Sequence, residues 1–105
     1  MARQQLQTLS EPMYYILLSL VEPRHGYAIM TFIRENTQGR VQVGAGTLYA
    51  LLSRFENEKL IDFIKSEDNK KIYQLSKDGK EVLLKEYERI QTLVKDGSRI
   101  LGEKQ

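Results

Sequence analysis

The chain has 105 residues, 41% of them apolar and 29% charged, with a formal net charge of +2 and no cysteine. That length holds one domain and leaves no room for a second core, and the composition is that of an ordered globular chain. Without thiols neither a disulfide framework nor a thiolate metal site can form, and the small net charge means that any basic surface must come from local arrangement. The opening Met1-Ala2-Arg3-Gln4-Gln5 lacks the apolar run of a signal peptide, which with the cysteine count predicts a cytoplasmic chain. The longest apolar stretch, near Tyr14–Val21, is far too short to span a bilayer, so no membrane partner is expected.

Taken in chain order, the first strong segment is SEPMYYILLSLVE. Ser10 is a good N-cap, and Pro12 suits the first turn because its missing N–H would be unpaired there anyway. Met13, Ile16, Leu17 and Leu20 follow the i, i+3, i+4, i+7 spacing of a core-facing helix. A second helix is predicted from about His25 to Asn36, with Gly26, Ile29, Met30 and Ile33 on one side. Thr37–Gly46 carries three glycines and reads as a loop, with a short extended piece at Arg40–Val43. The third helix, from about Ala45 to Glu58, turns Leu48, Leu51, Leu52 and Phe55 to the core. The period then changes. Ile61-Asp62-Phe63 and Tyr73-Gln74-Leu75 alternate, and Glu67-Asp68-Asn69-Lys70 between them is turn chemistry, so a two-stranded hairpin is expected. Ser76 caps a final helix that runs to at least Lys95. The fold class is therefore mainly α with a small β-hairpin. Three helices, a hairpin and a last helix follow the order of a winged helix-turn-helix at residues 1–76, with a C-terminal dimerisation helix at residues 77–105.

The third helix is the most informative. Opposite its buried face lie Gly46, Tyr49, Ala50, Ser53 and Asn57, with Thr47 and Arg54 at the edge. Small and hydroxylic first turns let the backbone approach a major groove closely. Tyr49 and Thr47 can reach a phosphate or a thymine methyl, Ser53 lies on the same face, and Arg54 can reach phosphate or guanine. An ordinary solvated face would carry more lysine and glutamate. Tyr27, after His25 and Gly26, sits where a helix N-terminus can hold a phosphate, or else is a half-buried core residue beside a packing glycine. Lys70 and Lys71 in the hairpin suit backbone or minor-groove contact, although Glu67 and Asp68 stand beside them. In the last helix Leu83, Tyr87, Ile90 and Val94 fall at alternating steps of four and three, with Leu93 flanking, as on a heptad seam; this predicts a homodimer.

Three stretches, HGYAIM, GTLYALLSRFENEKLI and KIYQLSKDGKEVL, resemble the PadR-like transcriptional regulators, and within them the smaller members whose C-terminal extension is a single helix. Two positions depart from that pattern: Ala50 stands where proline is frequent, and Lys59 where glycine is frequent. Lys59 must then adopt a left-handed C-cap at some strain, or the turn differs. The resemblance implies a sequence-specific repressor on double-stranded DNA, released by a small aromatic or multidrug-like ligand or by a stress signal. It also implies that an aromatic at the place of Tyr87 borders a ligand cavity between subunits. One histidine, no phosphate-binding glycine loop and no metal-ligand pair argue against an enzyme and against a cofactor or metal. The competing expectation is a winged helix that binds only other proteins, which would lack salt-sensitive DNA binding.

Overall fold

The structure is a computed structural model that describes residues 8–102. The expectation about Met1–Gln5 lies outside these residues. Helix α1 spans Glu11–Ser19, with the Ser10 hydroxyl accepting the Met13 N–H at 3.3 Å and Pro12 in its first turn. Its Ile16 and Leu17, with Leu20 at the C-cap, are fully buried, as the spacing required. A two-residue strand β1 (Arg24–His25) follows, then α2 (Gly26–Asn36) and α3 (Ala45–Asn57). The hairpin β2 (Ile61–Glu67) and β3 (Lys70–Leu75) leads into the long α4 (Lys77–Ile100).

Two local expectations are corrected. The sheet has three antiparallel strands in the order β1-β3-β2, because Arg24 pairs with Tyr73 and His25 with Ile72. The expected extended piece at Arg40–Val43 is a bend at Arg40 and Val41 followed by irregular chain, without strand pairing. The Thr37 hydroxyl organises it, donating to the Ile33 carbonyl at 2.7 Å and accepting the Val41 N–H at 3.1 Å. Val41 and Val43 are both buried, so their alternation records the seating of a loop on the core rather than a strand.

Helix α3 ends in a Schellman motif. The Leu60 N–H donates to the Phe55 carbonyl at 2.8 Å and the Lys59 N–H to the Glu56 carbonyl at 3.0 Å. Lys59 takes φ of 64° there, so the left-handed C-cap forms with lysine in the place that glycine favours. At the hairpin tip Asp68 and Asn69 both have positive φ, 52° and 64°, the pattern of a type I′ turn that matches the twist of the strands.

The core gathers Ile16, Leu17, Leu20, Ile29, Ile33, Leu48, Leu52, Phe55 and Leu60 between α1, α2, α3 and the sheet. Burying each such side chain is worth about 1.5–3 kcal/mol. The first turns of α4 complete this core. A Cβ on Gly79 would lie 2.0 Å from the Leu60 carbonyl oxygen, so only glycine lets α4 start against that backbone. Leu83, expected on the dimer seam, is only 5% exposed and packs into its own protomer's core. After Glu86 no residue of α4 is buried, and Leu93, Val94, Ile100 and Leu101 are exposed. Among the described residues no helix is long and apolar enough to cross a membrane, and no group of His, Cys, Asp or Glu could hold a metal.

Candidate functional site

Strand β1 brings the start of α2 beside β3, and the packing of α3 on α2 closes a third side. The result is a cleft of about 440 Å³ between the N-terminus of α2, the outer face of α3 and the hairpin tip. Tyr27, Tyr49, Ser53, Lys70 and Lys71 line it, together with His25, Asn69 and Tyr73. Five of the seven residues singled out in the sequence as DNA contacts thus meet in one concavity, although they come from three elements.

Each is held for a physical reason. His25 caps α2, its Nδ1 accepting the Ala28 N–H at 3.3 Å, and this fixes the entry of the helix. Tyr27, in the first turn of that helix, is 65% exposed, so it is not a half-buried core residue. Gly26 is buried directly under Tyr49: a Cβ there would fall 2.3 Å from the Tyr49 hydroxyl oxygen. The missing side chain of α2 therefore seats the phenol of α3, with the Tyr49 ring lying over the α2 N-terminus. Tyr73 on β3 is buried and makes an edge contact with Phe63 at 6.2 Å between centroids. Burial pushes its phenol above the ordinary tyrosine range, with smaller upward contributions from Glu56 and Tyr49.

The hairpin sorts its charges. Lys65 lies 3.7 Å from Glu67, which partly neutralises that carboxylate. Neither Lys70 nor Lys71 is held in an ion pair among the described residues. A concavity lined by two lysines, three tyrosines, a serine and an asparagine is rich in donors and suits an extended polyanion better than a neutral solute.

Two expected residues stand apart from the cleft. Thr47 is exposed on the first turn of α3, where Gly44 and Gly46 leave open space beside the backbone. Arg54 points along the helix towards Glu58, with Nε 3.8 Å from Oε2. His25, Asn69 and Tyr73 were not singled out. The sequence signal for His25 was its place immediately before an apolar-periodic helix, and for Asn69 its place at the turn. Tyr73 could be recognised only once β1 was known to pair with β3.

A second depression, about 280 Å³, lies between α1 and α4 and is lined by Tyr14, Tyr87, Ile90, Gln91, Val94 and Lys95. Three of the expected seam residues, Tyr87, Ile90 and Val94, border it, and Leu93 is exposed on the same helix.

Comparison with known proteins gives a consistent likeness. The family described as "Transcriptional regulator PadR-like family" matches residues 16–85. Among solved structures the chain is similar to a transcriptional regulator from Clostridium thermocellum, at 21% identity over 88% of this chain and 90% of that one, with a TM-score of 0.71. It is similar to a PadR-like transcriptional regulator from Bacillus cereus at 24% identity, covering 86% and 90% of the two chains, with a TM-score of 0.71. A PadR family transcriptional regulator from Eggerthella lenta shares 27% identity over 90% and 83%, with a TM-score of 0.66. No curated protein matches the chain significantly in sequence.

Proposed function

Because this chain belongs to the PadR-like family of transcriptional regulators, we propose that it is a homodimeric repressor that occupies operator DNA. The observation that carries the reading is the cleft, where Tyr27, Tyr49, Ser53, Lys70 and Lys71 converge from two helices and the wing. In this reading α3 enters the major groove by its glycine- and alanine-rich first turns, with Thr47 and Tyr49 leading. Lys70 and Lys71 follow the flanking phosphates, and Tyr27 holds a phosphate at the α2 N-terminus. Arg54 reaches the duplex by leaving Glu58, at a cost set by the carboxylate it leaves, which is only 11% exposed.

The exposed apolar face of α4 supports the dimer. Tyr87, Ile90, Leu93 and Val94 lie on a helix that leaves its own domain half-way along its length. A monomer in water would leave that face uncovered, and a two-fold partner covers it with the same surface. The depression beside Tyr87 supports release by a flat aromatic effector, for which the tyrosine offers a stacking face and a hydroxyl. Coupling follows if the effector changes the distance between the two α3 helices, since groove spacing is fixed.

The test is titration of duplex fragments from upstream of the protein's own gene, with stoichiometry read by sedimentation. Two chains per bound site are expected. Failure to bind any such duplex at low salt, with the protein folded, would favour the protein-binding alternative.

A further inference from the structure

Glu86 is the last buried residue of α4, 3% exposed, and it carries a charge where the surrounding core is apolar. Its carboxylate accepts from Arg89 Nε at 3.0 Å and Nη2 at 2.7 Å, one turn further along the same helix. It also accepts the backbone N–H of Leu9 at 3.3 Å, from the segment that leads into α1. One side chain thus ties the entry of the first helix to the point where the last helix leaves the domain. Taking a carboxylate out of water is costly, and leucine would fill the place without that cost. What leucine cannot supply is direction. Apolar contacts permit sliding and rotation, whereas the Leu9 N–H bond is directional, and the two Arg89 bonds within α4 hold the carboxylate in the orientation that accepts it.

The angle matters because of the lever beyond it. From Tyr87 to the end of α4 at Ile100 is about 14 residues, or about 21 Å of helix. A tilt of about 10° at Glu86 moves the far end by about 4 Å. We infer that Glu86 is a positioning residue: with its carboxylate oriented by Arg89, it anchors α4 to the Leu9 backbone and so sets the direction in which α4 leaves the winged helix, and the separation of the two DNA-reading faces in a dimer. This rests on the homodimer reading above. It assigns to a residue outside the DNA cleft and outside the exposed seam the geometry that joins them.

The distance between the two wings reads this directly. The chain has no cysteine, so Ser66→Cys, exposed on β2 opposite Lys71, carries a single nitroxide label per protomer. Pulsed dipolar spectroscopy on the full-length labelled dimer then gives the wing-to-wing distance distribution. With Glu86 present a single narrow peak is expected. Glu86→Leu is expected to remain dimeric with a peak at least twice as broad, while Glu86→Gln, which keeps one oxygen for Leu9 and Arg89 Nη2 but sets an amide NH2 against Arg89 Nε, gives a peak of intermediate width. Should Glu86→Leu not fold, Arg89→Met removes two of the three hydrogen bonds to Glu86 at an exposed position and is expected to broaden the peak in its place. A dimer of the folded variant with a distribution as narrow as that of the parent overturns the inference. A parent protein that gives no inter-label distance because it is monomeric overturns the dimer reading instead, and this inference with it.

Discussion

Gly26 and Gly79 each leave room for a close neighbour, a side chain at one and backbone at the other, and their alanine variants should separate function from stability. At Gly26 the added methyl meets the Tyr49 hydroxyl, the far end of a rotatable side chain. Gly26→Ala should therefore shift stability by less than about 1 kcal/mol while displacing Tyr49 from the cleft, with duplex affinity falling about as far as in Tyr49→Ala. Paired thermal melts and binding titrations check this; unchanged affinity would show that the seat of Tyr49 is irrelevant to the interface. At Gly79 the obstacle is the Leu60 backbone, which cannot swing aside. Gly79→Ala should cost about 3 kcal/mol or more, seen as a lowered denaturation midpoint. The sequence offers Gly26 as a packing glycine, but neither partner, Tyr49 or the Leu60 backbone, could be read from it, because each depends on what faces the glycine across the fold. Lys59 was different: it stands where the resembling family favours glycine, which pointed to a left-handed cap, and its φ of 64° has that cap with the strain of a side chain included.

The helices were legible because their apolar spacing and caps are local, and Ser10, Ser76 and the Ile16–Leu17–Leu20 set stand where periodicity put them. Strand β1 was not, since two residues cannot display an alternation and its pairing with β3 is made across about fifty residues. Leu83 fits the heptad of the seam as well as it fits the core; a core-facing position and a seam position have the same period on one helix, and only tertiary packing separates them. The tie from Leu9 to Glu86 spans 77 positions and leaves no local trace. It has a consequence for pH. Hydrogen bonding from Arg89, chiefly, and from Leu9 holds the Glu86 carboxyl below the usual range against the opposing effect of burial. A group whose folded value is lowered contributes stability above its unfolded value and loses it as pH falls through the folded one. The melting advantage of the parent over Glu86→Gln should thus be present near neutral pH and vanish on acidification below the ordinary glutamate range; an advantage that persists there would contradict it. Removal of everything after Glu86 takes away Tyr87, Ile90, Leu93 and Val94 as well as Arg89. Each buried apolar side chain of that set contributes about 1.5–3 kcal/mol to an interface, so the truncated protein should sediment as monomer or aggregate, and a well-folded dimer would place the seam elsewhere.

At the scale of the whole molecule the net charge of +2 is too small for long-range attraction to nucleic acid. Affinity must come from the few cations that the fold concentrates, so the salt dependence of binding reports how many phosphates those cations neutralise. Each phosphate neutralised releases condensed counterions and adds about −0.9 to the slope of log K against log salt. The measurement that tests the account most directly is this slope, for the parent and for Lys70→Ala with Lys71→Ala, on one duplex that the parent binds. The account predicts a steep slope for the parent. For the double variant in a two-fold dimer it predicts a slope shallower by about 0.9 for every phosphate that the two wings no longer neutralise, with affinity lowered on all sequences alike. A double variant with the parent's slope and affinity would remove the wing from the interface and contradict the assignment of the cleft to DNA.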